Sequence, residues 1–180
     1  NNNALVNINP SSSGNPLYLE ISKYGDGNAT INANRTDSNT GRVMYIGEKA
    51  DVTLKNLTLK GGYILRENGG GIYSKGICNL NSCTISGNTA KAPGGSVRGG
   101  GVYIESGSFT MEDCIISGNT AGSETDNANA YGGGIFGESG TNITMNDTTI
   151  FENKVASING VEGAGVCLYG ANLTMQNSTI

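Results

Sequence analysis

Three glutamates, Glu48, Glu105 and Glu138, stand two or three residues after an aromatic ring in a chain of 180 residues. Carboxylates beside rings are the material of polysaccharide chemistry. An acid and a base flanking a glycosidic bond hydrolyse it, and carboxylates holding Ca²⁺ next to an Arg or Lys base eliminate across it. The rings themselves, Tyr45, Tyr73, Tyr103 and Phe136, would offer a sugar or a protein apolar area with little entropy to lose. Neither reaction is complete from the sequence, because no Asp cluster and no Arg stands beside these glutamates. They read as solvated turn residues, and no catalytic residue is assigned.

Other chemistry finds less support. Histidine is absent, and Cys78, Cys83, Cys114 and Cys167 contain no CxxC pair, so neither a zinc site nor any other metal or cofactor is expected. The glycine triplets lack the Lys-Ser/Thr pair and following helix of a phosphate loop. A net charge of −4 offers no footprint for nucleic acid, and no apolar run approaches membrane-spanning length. Seven glycosylation sequons, at Asn28, Asn34, Asn56, Asn142, Asn146, Asn172 and Asn177, are of the number that chance supplies to a chain so rich in Asn and Thr.

The elements that position these residues repeat. "GGGIYSKGICNLNSCTISGNTA" begins at Gly69, and related segments begin at Gly99, Gly132 and Gly163, roughly 30 residues apart. Within each, apolar and polar residues alternate by two, the period of a strand. The first strand follows the glycines, as in Val102-Tyr103-Ile104; the second is Phe109-Thr110-Met111 and the third Cys114-Ile115-Ile116. The register extends back to Met44-Tyr45-Ile46 and, more faintly, to Ala29-Thr30-Ile31. An isolated unit cannot bury its apolar face, so the units must stack.

The fold class is therefore all-β: a right-handed parallel β-helix with three short strands per coil and about five to six coils. Residues 1–40 form an entry segment or first irregular coil, and residues 41–180 the repeats. Ile72, Val102, Ile135 and Val166 fall in one inward column and the rings on the outward face. Between second and third strands stand Lys55-Asn56, Asn81-Ser82, Glu112-Asp113, Asn146-Asp147 and Gln176-Asn177, residue types suited to a corner that needs one left-handed residue. Asn88, Asn119 and Asn153 follow the third strand and are expected to stack, each bonding backbone of a neighbouring coil. The glycines are expected where the chain returns from a long loop close to other backbone. Cys83 and Cys114 fall on adjacent rungs, near enough for a disulfide but poorly directed for one; a reduced ladder is the expectation, with Cys78 a separate core residue.

"GGGI", "GGGV", "GGGI" and "GAGV", each followed by a strand pair and then "ISGN", "ISGN" or "IFEN", resemble the GGA[I/L/V] and FxxN repeats of the chlamydial polymorphic outer membrane proteins and of adhesin-like β-helix surface proteins. The resemblance runs from Met44 to Ile180. It implies an extracellular or cell-surface β-helix, adhesive or structural rather than enzymatic, with a protein or glycan ligand. The candidate contact surface is the row Tyr45, Tyr73, Tyr103 and Phe136; the competing expectation is that loops such as Lys91 to Arg98 and Gly122 to Ala130 fold over the row and bury it. Pectate lyases and polygalacturonases share the architecture, so a polysaccharide-binding or polysaccharide-cleaving module is the alternative. Outward threonines, Thr53, Thr110, Thr144 and Thr174 on second strands and Thr58, Thr84, Thr149 and Thr179 on third strands, resemble ice-binding faces, although a corner separates the two rows. Ile180 ends a third strand without its Asn turn, so further chain or a partner is expected over the last coil.

Overall fold

The computed structural model describes residues 3–10, 14–124 and 128–180. Three parallel sheets wrap one core. The first holds Ala4–Ile8, Arg42–Ile46, Ile72–Ser74, Val102–Ile104, Ile135–Gly137 and Val166–Leu168. The second runs from Leu17–Ser22 to Asn172–Gln176, and the third from Ala29–Asn32 to Thr149–Phe151. The register is the sequence repeat: Val102 pairs with Ile72 and Ile135, and Met111 with Leu80 and Met145. Strands Ala4–Ile8, Leu17–Ser22 and Ala29–Asn32 pair with their counterparts in the next coil, so the first 40 residues contribute a coil of their own.

Alternation decides the core. Ile72, Val102 and Ile135 are fully buried in one cluster with Phe109, Met111 and Ile116, and Val166 packs against it. Every expected corner turns on the second residue of its pair: Asn56, Ser82, Asp113, Asp147 and Asn177 all have φ between 48° and 55°. In the column that follows the corner, Cys83, Cys114, Thr148 and Ser178 each donate to the carbonyl two residues back, on Asn81, Glu112, Asn146 and Gln176. The cysteines are free thiols that serve as hydrogen-bond donors as well as apolar filling.

The coil is larger than three strands. After the Asn turn the chain forms a fourth sheet, Tyr63–Leu65, Thr89–Ala92, Thr120–Ser123 and Lys154–Ala156, and then a fifth, Val97–Arg98, Asn129–Tyr131 and Gly160–Glu162. The segment from Lys91 to Arg98, expected as loop, is thus strand at both ends with a turn between; of the segment from Gly122 to Ala130, residues 125–127 lie outside the described residues. These two sheets enclose a satellite core of Ile64, Ala90, Ala92, Val97, Ala121 and Ala130. Its side chains are small, so the lobe is thin.

Main helix and lobe meet at a waist, where the Asn ladder and the glycines lie face to face. Asn119 Nδ2 donates to Ile85 O at 2.9 Å and to Asn153 Oδ1 at 3.0 Å, while its Oδ1 accepts from both Asn88 N and Asn88 Nδ2 at 3.0 Å. The returning chain crosses immediately beside it. Gly99 has φ +66°, a Cβ on Gly100 would strike the Thr120 carbonyl, and a Cβ on Gly101 would come within 3.0 Å of the Asn119 side chain. The triplet exists because outgoing and returning backbones touch there.

Candidate functional site

The aromatic row forms on the outward face of the first sheet. Ring centroids are 5.4 Å apart from Tyr45 to Tyr73, 5.0 Å from Tyr73 to Tyr103 and 5.9 Å from Tyr103 to Phe136. As an open contact surface, however, the row must be corrected. Tyr45, Tyr103 and Phe136 are only 8%, 5% and 3% exposed, with Tyr73 half-buried. The lobe returns over the sheet and closes on it: the Arg98 guanidinium lies 5.4 Å from the Phe136 centroid, and the Tyr131 ring meets Phe136 edge-on at 6.1 Å. At the other end the Arg42 guanidinium sits 4.9 Å from the Tyr73 centroid and is held by Glu67 at 2.5 Å and the Asn68 carbonyl at 3.2 Å.

The glutamates line the same cleft. Lys75 Nζ lies 2.8 Å from Glu105 Oε1. Burial, with the charges of Glu138 and Glu48, still pushes the Glu105 carboxyl above its ordinary range. Glu138 Oε1 accepts from the Tyr103 hydroxyl at 2.8 Å and lies 3.9 Å from Arg98 Nε. Burial and that carboxylate push the Tyr103 phenol up to about 12. The sequence expectation that no Arg stands beside the glutamates is thereby overturned, because the lobe carries Arg98 back across the sheet.

Beyond Phe136 the cleft opens into a cavity of about 320 Å³, lined among others by Arg98, Tyr131, Phe136, Glu138, Glu162 and Cys167. Arg98, Tyr131 and Glu162 escaped the reading of the sequence, yet a signal was there. Each immediately precedes a glycine triplet or its GAG equivalent, and the three are rung partners on the fifth sheet. Elsewhere the threonine rows are broken, by Asn79 on the second sheet and Ile115 on the third. No group of three or more metal-ligating side chains occurs among the described residues, nor does any helix long and apolar enough to cross a membrane.

A stack of parallel coils around a continuous apolar column, with an outward cleft roofed by a side lobe, defines a β-solenoid of the β-helix class. A family model described as the right handed beta helix region matches residues 19–180, and the chain belongs to that family. No curated protein and no solved structure matches it.

Proposed function

We propose that this chain is a non-enzymatic β-helix segment of a secreted or cell-surface protein, adhesive or structural, whose contact region is the open end of the cleft near Phe136 rather than the aromatic row as a whole. One observation carries the reading. Two of the three glutamates beside the rings already hold structural partners, Glu105 with Lys75 and Glu138 with Tyr103 and Arg98. A general acid or base needs a free oxygen aimed at the scissile bond, whereas a binding surface needs a rigid frame, which stacked coils provide. The resemblance of the glycine and Asn motifs to those of chlamydial and adhesin-like surface proteins supports the location.

A second reading, a polysaccharide-binding or polysaccharide-cleaving module, is favoured by Glu138 and Glu162 lining one cavity with Tyr169. A pair of carboxylates is the minimum that glycoside hydrolysis needs. A glycan array read together with lyase and hydrolase assays separates the two. Binding without product supports the first over cleavage; turnover of any polysaccharide that Glu138→Gln or Glu162→Gln abolishes establishes the cleaving module.

A further inference from the structure

The aromatic row stops at Phe136. Four rings follow one another at ring-stacking distances, but the rung paired with Phe136 carries Cys167. A thiol fills only part of the space of a ring, and the 320 Å³ cavity lies beside it. We propose that this cavity is a subsite for one pyranose ring of an amino-sugar glycan, seated where the fifth aromatic of the row would stand. The proposal deepens the binding function above and rests on it.

Size and shape come first. A cavity of 320 Å³ is at the lower end of the range for small-molecule sites, about 300–1,000 Å³, which suits a single sugar residue and not a peptide or a helix. Phe136, one rung spacing of about 4.8 Å from Cys167 along the axis, forms one wall of the cavity. A pyranose has an apolar C–H face and a polar rim. Tyr131, half-buried, and Tyr169, 71% exposed, supply aromatic surface for the face. Glu138 and Glu162 supply acceptors for the rim and Arg98 a donor.

Charge selects the sugar. Two carboxylates face one guanidinium, and Arg98 is already drawn to Glu138. Glu162 is exposed and forms no ion pair among the described residues. Cys167 adds no compensating charge, since burial and Glu162 both push its thiol up and keep it protonated at neutral pH. The pocket is therefore net negative: an ammonium group on the sugar gains a partner in Glu162, while a uronate carboxylate meets repulsion.

The test is calorimetric titration of the chain with a glucosamine tetramer and, separately, with tetragalacturonate. The expected result is binding of the glucosamine tetramer in preference to tetragalacturonate. Cys167→Phe, which extends the row by one ring and fills the cavity, should weaken that binding at least about tenfold. Glu162→Arg should weaken it comparably and reverse the preference toward tetragalacturonate. Because Glu162 is exposed, the second variant decides the matter if the first does not fold. Absence of glucosamine-tetramer binding, stronger binding of tetragalacturonate to the unaltered chain, or unchanged binding in a folded Cys167→Phe or in Glu162→Arg would overturn the proposal. Product analysis of the same samples reports separately on the non-enzymatic reading: released oligosaccharide defeats that reading whatever the variants do to affinity.

Discussion

Asn119 shows how much one side chain carries at the waist. Its amide satisfies Ile85 O, Asn153 Oδ1 and both nitrogens of Asn88 in a site without solvent. Asn119→Ala orphans those groups together, and a loss of about 3 kcal/mol is expected in chemical denaturation. Ser74 is the opposite case. It stands in the inward column between Ile46 and Ile104, 0% exposed, and its hydroxyl has no hydrogen-bond partner among the described residues. Ser74→Ala removes a desolvated donor at little loss of packing, so a gain of about 1 kcal/mol should appear in the same assay. The inward register and the Asn positions were readable because strand alternation and the repeat fix them locally. That Ser74 lacks a partner was not, since it depends on what surrounds it in three dimensions.

At the scale of the element, the glycine triplet distinguishes close approach from backbone conformation. Gly100 faces Thr120 and Gly133 backbone so closely that no Cβ fits, whereas Gly118 has φ +61° with its nearest neighbour 4.0 Å from a Cβ. Gly100→Ala must push the lobe from the main helix and is expected to destabilise by about 3 kcal/mol. Gly118→Ala meets only the left-handed penalty, about 1 kcal/mol. Thermal unfolding of the two variants side by side checks the contrast, and equal losses would show that the waist is not tight. The fourth and fifth sheets escaped the sequence expectation for a physical reason. "TAKAPGGSVR" does alternate, but its inward residues are mostly alanines, whose apolar signal is too weak to separate a short strand from a loop.

For the molecule as a whole, alkaline pH is the weak side. Burial pushes the Cys78 and Cys83 thiols up, Cys114 up to about 12, and Tyr103 up to about 12. In each case the folded state holds its proton more tightly than the unfolded chain. The stability these groups contribute is fully present below the unfolded values, about 8.5 for Cys and about 10 for Tyr, and is lost as pH rises toward 12. Denaturation midpoints should be level across neutral pH and fall progressively above about pH 9. Cys114→Ser keeps a corner donor without an ionisable thiol, and it should make that fall shallower; an unchanged slope would remove Cys114 as a cause.

The sequence by itself determined the solenoid. Two-residue alternation fixes which side chains point inward, the repeat fixes which residues become rung partners, and the corner Asn and Asp residues fix where the chain bends; all three are local properties of a chain that stacks each unit on the next. Whether the Tyr/Phe row faces solvent, which cations lie over it, and where it opens were decided only by the tertiary structure. Those outcomes depend on the path of the lobe, which leaves after the Asn turn and returns at the glycines. That path sets Arg98, Tyr131 and Glu162 opposite rings and carboxylates from other parts of the repeat. The lobe closes over Tyr103 and Phe136 because their apolar area needs cover, and it leaves a cavity at Cys167 because that rung carries no ring to meet it.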